Sequence, residues 1–188
     1  MTDIKAELLR NLQGSRSMLL AKVEELSDFD QRRPMTPTGT NLLGLVKHLA
    51  GLEYGYLGTS FDRPPPEEPS WFDDLWSDMW AKPHESGDYI IGVYRQAAAH
   101  ADSTVEALDL DSPGTVAHWA EGHRETTLGV LLVRMVGETA HHAGHADIVR
   151  ELIDGKAGSA QDPVGADADF WRREHAKIQA AADHFRGA

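Results

Sequence analysis

Residues 127–155, TLGVLLVRMVGETAHHAGHADIVRELIDG, read as one long helix from about Thr127 to Asp154, with Gly155 placed where a helix-ending C′ residue belongs. At about 100° per residue, Leu131, Met135, Val149 and Leu152 fall on one side of the helical wheel, and that side is expected to face a core. Glu138, His142 and His145, at i, i+4 and i+7, project onto the centre of the same stripe. Burying an ionised carboxylate and two imidazoles without partners costs several kcal/mol at least, so the pattern demands a compensating group. A divalent cation is the simplest one. The competing readings are a solvated His-rich face, if the helix is turned the other way, and a ligand pair made of His141 and His145 at i, i+4.

The complementary half lies upstream in NLLGLVKHLAGLEYGYLG, residues 41–58, where Leu42, Leu45, Leu49 and Leu52 define a second apolar stripe closed by Gly58. His48 shares their face, being three residues after Leu45 and four before Leu52. It is either a hydrogen-bonded core histidine or a cross-helix ligand. Helix bundles build metal sites from inward carboxylate and His side chains on different helices, which favours reading His48 together with Glu138 and His142. Three protein ligands leave coordination positions open, as catalytic zinc sites do, and nitrogen and oxygen donors suit zinc, nickel, iron or manganese. His145 is then a fourth ligand or a proton-handling base beside the ion.

Two further helices complete the pattern. Residues 3–26 place Ile4, Leu8, Leu12, Leu19, Val23 and Leu26 near the helical period, with Thr2 as N-cap, and a third helix fits from about Asp88 to Leu108. The Pro-bounded acidic and aromatic stretch 64–83, PPPEEPSWFDDLWSDMWAKP, is expected as a long loop over one bundle end. Residues 109–125 are punctuated by Pro113, Gly114 and Gly122 and suit an irregular connection with a small hairpin. AGSAQDPVGADAD (157–169) reads as a linker, and residues 168–187 as a last helix packed on the outside. The expectation is one all-α domain over residues 1–188, a four-helix bundle with a crossover connection and an additional C-terminal helix.

Composition narrows the chemistry. With 30 acidic against 18 basic residues and a formal charge of −12, the chain lacks the clustered Lys and Arg that neutralise nucleic-acid phosphates, so no nucleic acid is expected as a partner. No apolar run reaches the roughly 20 residues of a membrane helix, and the N-terminus MTDIKAELLRNLQ has no export pattern, so the expected setting is the cytoplasm. Cysteine is absent. That removes thiolate ligands and any protein-borne thiol nucleophile, so thiol chemistry would need a small molecule.

The remaining polar residues divide by placement. Arg134, one turn before Glu138, either binds an anionic substrate group near the ion or snorkels at the bundle end. Asp73, Asp74 and Asp78 alternate with Trp71, Trp76 and Trp80, which fits an amphipathic segment anchored by tryptophans better than a ligand platform. His84, His100, His118, His123, His175 and His184 have no convergent neighbours in sequence and are expected at the surface or in local hydrogen bonds.

The segments NLLGLVKHLAGLEYGYLG and GETAHHAGHADIVRELIDG together resemble the DinB-like metal-dependent superfamily, in helix order over nearly the whole chain. Within it, the resemblance is nearest to an actinobacterial-type branch of unknown function. It implies a DinB/YfiT-like bundle with a crossover, often dimeric, so a homodimer is expected, and a three-ligand metal site between the second and fourth bundle helices. Many members use three histidines; the related mycothiol-dependent maleylpyruvate isomerase branch uses His, Glu and His with the last two four residues apart. His48, Glu138 and His142 match that second pattern. The branch usually carries Arg where this chain has His141, which counts against His141 as an essential ligand.

What the resemblance and the residues jointly imply is a thiol S-transferase or isomerase of the mycothiol type, with a divalent ion, zinc foremost, activating a small-molecule thiol toward an electrophilic substrate. His48, Glu138 and His142 would hold the ion, with His145 as further ligand or proton handler and Arg134 as a carboxylate anchor. The alternatives are a hydrolase using metal-activated water and a non-catalytic metal-binding bundle of the stress-response kind.

Overall fold

The computed structural model describes residues 3–69, 71, 77–157, 162–163 and 167–186. Among them the chain forms α1 (Ile4–Ala21), α2 (Asp28–Arg32), α3 (Leu42–Leu57), α4 (Gly87–Ala107), α5 (Leu128–Asp154) and α6 (Ala168–Asp183). Pro113–Thr115 (β1) pairs antiparallel with Glu125–Thr127 (β2), which is the small hairpin expected between the last two bundle helices. A second pair joins β3 (Lys156–Ala157) to β4 (Asp162–Pro163). The fold is the mainly helical bundle that the apolar periodicity demanded.

Local chemistry sets the helix ends. Thr2 lies outside the described residues; the side chain of Asp3 caps α1 by accepting from the backbone N–H groups of Lys5 and Ala6. Asn41 caps α3 through Gly44 N–H, and Ser86 caps α4 through Tyr89 N–H. Gly155 closes α5 at φ 74°, a left-handed conformation that glycine adopts without penalty. α1 stops at Ala21, short of the expected residue 26. The guanidinium of the buried Arg150 donates to the carbonyls of Lys22 and Glu24 at 2.9 and 2.8 Å, which takes up the carbonyls that further helix would have used.

Cross-helix contacts fix the topology. His48 of α3 meets His142 of α5, and Tyr56 lies beside Arg134, so α3 and α5 run antiparallel. Lys47 is bonded to Glu85 just ahead of α4, whereas Tyr54 lies against His100 further along it, so α3 and α4 run parallel. Parallel neighbours need a connection that returns the full length of the bundle, which makes residues 58–86 the crossover. This segment does not cover one bundle end, as its composition suggested. It runs back along α3, where the backbone of Met79 comes so close to Gly44 that an added Cβ would sit 2.0 Å from the Met79 carbonyl oxygen. Only glycine admits that crossing. Asn41 Nδ2 and the buried Lys47 ammonium hold the crossover by donating to the carbonyls of Met79 and Trp80.

The core is built by Leu12 and Leu19 of α1, Leu42, Leu45 and Leu49 of α3, Ile90, Tyr94 and Val105 of α4, and Leu131, Leu132 and Met135 of α5. The C-terminal helix is present as α6, and none of its described residues is buried. Leu152, read as core-facing on α5, is 60% exposed. The buried line of α5 passes instead through Met135, Thr139, Ala143, Ala146 and Arg150. Small side chains let α1 and α3 approach there, and smallness hid the line from a reading that followed only large apolar residues. Among the described residues no helix is long and apolar enough to cross a membrane.

Candidate functional site

Turning the buried line of α5 by one residue moves Glu138 and His142 from the core centre to its edge, in the cleft between α5 and α3. They are half-buried there, not sealed in. His48 looks across from α3, its ring 5.1 Å from that of His142 and nearly perpendicular to it. One turn away, a Glu138 carboxylate oxygen lies 3.8 Å from His142 Nε2. His142 therefore has His48 across the cleft and Glu138 one turn away on its own helix.

Each imidazole is engaged through Nδ1. His48 Nδ1 is 2.6 Å from a carboxylate oxygen of Asp78, and His142 Nδ1 is 3.3 Å from His145 Nδ1. Nε2 is thus the remaining donor atom on both rings. A hydrogen bond from one imidazole nitrogen to a carboxylate fixes ring orientation and raises the basicity of the other nitrogen, the usual support of a metal-ligating histidine. The hydrogen bond from His48 also holds the Asp78 carboxyl below its ordinary value, against the opposing effect of burial. His142 is pushed down from 6.5 to about 4, first by burial and then by repulsion from His48, His145 and His141. It is neutral at physiological pH, the form in which imidazole binds a cation.

His145 is exposed, on the outer side of His142, and His141 is exposed beside it with ring centroids 4.2 Å apart. The His141/His145 pair therefore sits toward solvent, off the face that His48 approaches. Arg134 does not snorkel at a bundle end. Its guanidinium lies 5.3 Å from the ring centre of Tyr56 and 5.2 Å from that of Trp119, with Glu138 at 4.0 Å. Two aromatic faces and a carboxylate already occupy this cation.

Two nitrogen donors and one oxygen donor from facing helices are the kind of set a borderline divalent ion takes. Among the described residues no group of three or more His, Asp or Glu side chains is drawn around a single point. The donor set fits such an ion in kind, and rotation of half-exposed side chains is what gathering it would require.

Next to Asp78 a cavity of about 580 Å³ opens between α3, the crossover and the β1–β2 hairpin. Tyr56, Trp71, Asp78 and His118 are among its walls. Sequence reasoning missed both Asp78 as the partner of His48 and His118 as a wall residue. No local signal marks either, since Asp78 reaches His48 only by way of the crossover. Of the aromatic and acidic segment, Asp73, Asp74 and Trp76 lie outside the described residues; Trp71 is buried and Trp80 is about half-exposed.

Comparison with known families finds that the model for mycothiol-S-transferase matches residues 7–155, which spans α1 to α5 and leaves α6 outside. Comparison with curated proteins finds no match.

Proposed function

This chain belongs to the mycothiol-S-transferase family, and on that premise we propose that it transfers a low-molecular-weight thiol of the mycothiol type to an electrophilic carbon, with His48, Glu138 and His142 as ligands of a divalent ion, zinc foremost. The observation that carries this reading is the meeting of His48 and His142 across α3 and α5, both rings engaged through Nδ1, with Asp78, the partner of His48, in the wall of a cavity large enough for a substrate. His48, Glu138 and His142 would hold the ion, which would supply Lewis acidity that lowers the pKa of a thiol and makes thiolate available at neutral pH. The chain itself has no cysteine, so the sulfur comes from the small molecule.

The protein's own groups supply orientation and charge control. Asp78 fixes the His48 ring from the crossover, and His145 fixes that of His142. Burial keeps His142 neutral. Arg134, held by Tyr56 and Trp119, balances the charge of Glu138 and keeps it beside His142.

Elemental analysis of wild type, His48→Ala and His142→Ala, each assayed for thiol consumption with an electrophile, tests the reading. About one divalent ion per chain is expected in the wild type, with ion and turnover lost together in both variants. Equal metal in all three proteins overturns the ligand assignment. Metal bound without thiol consumption overturns the transfer reaction.

A further inference from the structure

The cavity beside Asp78 has walls of one sign. Asp62, Glu68 and Asp78 contribute carboxylates, and no Lys or Arg is among the described residues that line it. Two cations stand behind the walls, each already beside a carboxylate: Lys47, 4.7 Å from the Trp71 ring and bonded to Glu85, and Arg134, 5.3 Å from the Tyr56 ring with Glu138 at 4.0 Å. Leu52, Tyr56 and Val116 give an apolar floor. Trp71, only 2% exposed, forms part of the wall.

We infer that this cavity selects the electrophilic substrate by charge: it accepts neutral or cationic electrophiles and disfavours those carrying a carboxylate or sulfonate. The inference rests on the thiol-transfer reading for its chemistry. An anion entering loses hydration and meets carboxylates in the wall while the nearby cations are already paired, whereas a cation meets the opposite field. On this inference Arg134 serves beside Glu138 and not as the carboxylate anchor its place in the sequence suggested.

Three bromobimanes with the same reactive CH₂–Br group and a trimethylammonium, no charge or a sulfonate make the test. In each, the thiolate sulfur attacks the CH₂ carbon, the S–C bond forms, the C–Br bond breaks, and bromide leaves with the electron pair while the thiol proton passes to solvent. Each kcat/KM is divided by the uncatalysed rate constant of the same probe. At low ionic strength the cationic probe is expected to exceed the anionic one about tenfold, with the neutral probe between, and added salt should shrink the spread. Replacing Asp62→Asn together with Glu68→Gln should narrow it to about twofold. Equal normalised rates, a preference for the sulfonate, or a spread untouched by the double replacement overturns the inference.

Binding of the corresponding hydroxymethyl bimanes, which lack the leaving group, is measured alongside. Charge-ordered binding without turnover upholds the selectivity and overturns thiol transfer. Turnover without charge order does the reverse, and neither binding nor turnover overturns both.

Discussion

The two faces of α3 treat charge in opposite ways. Toward α1 and α4, Glu53 is buried and receives both Nε and Nη2 of Arg16 at 2.7 Å, while Arg16 Nη1 reaches Asp102 at 2.5 Å. Toward α5, His48, Glu138 and His142 are partly buried, and the approaches of His142 and Arg134 to Glu138 are 3.8 and 4.0 Å. One face has matched its buried carboxylate with a two-pronged partner, and the other has left donor atoms short of partners and a histidine discharged by its surroundings. Buried ion pairs are tolerated only when geometry is this complete, whereas incomplete satisfaction in an otherwise consistent fold is where ligands bind.

The largest expected effect follows from that contrast. Arg16→Met would strand the Glu53 carboxylate in the core and should cost about 3–5 kcal/mol, the range for breaking a buried pair from one side. His142→Ala in the metal-free protein should cost less, about 1 kcal/mol, because the neutral ring has only a long 3.3 Å contact to His145 and leaves no charge stranded. Urea unfolding of both variants in the presence of a chelator checks this. Equal losses would erase the distinction between the two faces.

Next in size is Asp78→Asn. The amide cannot carry the charge that orients His48 and raises the basicity of its other nitrogen. Divalent-ion affinity should fall about 10–100-fold, as when a carboxylate behind a ligating histidine is lost, with helix content unchanged. Competition against a chromophoric chelator measures it. Unaltered affinity would show that Asp78 serves only to tether the crossover.

Much of this contrast was legible beforehand and some was not, for reasons that lie in particular residues. The helices of the bundle and their ends at Gly58 and Gly155 follow from local periodicity and turn chemistry, which need no tertiary information. His48, Glu138 and His142 stood out because polar residues interrupt apolar stripes. Arg16 and Glu53 interrupt such stripes too, between Leu12 and Leu19 and beside Leu52, so the same rule applied to α1 would have found the buried pair. Asp78, Trp71 and His118 were not readable. Their places depend on the path of residues 58–86 and of the hairpin, which is set by contacts such as Gly44 against Met79 and not by local pattern. His145 and Leu152 were misplaced for one reason: Thr139, Ala143 and Ala146 carry the buried line without looking apolar enough to claim it.

The crossover lock gives a smaller, pH-dependent effect. Burial works to raise the Glu85 carboxyl, but hydrogen bonds from Lys47 and from the Lys82 backbone N–H outweigh it and hold the group below its usual 4.5. A carboxyl held low in the folded state contributes stability in full above its unfolded pKa and loses it as pH falls through the folded value. Glu85→Gln imitates the protonated acid. It should be about 1 kcal/mol less stable than wild type at pH 7, a gap that closes below pH 4.5 as the wild type protonates. Denaturant midpoints of both proteins across that range decide it; a gap that widens on acidification would mean Glu85 is not ionised in the fold.

The smallest expected effect is that of His145→Ala. Glu138 and His145 are seven residues apart on one straight helix, about 10 Å of axial rise at 1.5 Å per residue, and ligand distances near 2 Å make a shared ion demanding. His145 is also exposed and touches His142 only through Nδ1, the nitrogen on the side away from Glu138. Its removal should therefore leave most of the bound ion in place and weaken affinity less than Asp78→Asn does, because a neutral imidazole is a poorer orienting partner than a carboxylate. It should also move the pH at which occupancy falls slightly upward, since one of the imidazoles that disfavours protonation of His142 is gone. Elemental analysis across pH measures both. Metal lost from His145→Ala as completely as from His142→Ala, with His48→Ala unaffected, would mean that the ion is held by α5 alone and that the meeting of α3 with α5 serves the fold and not the site.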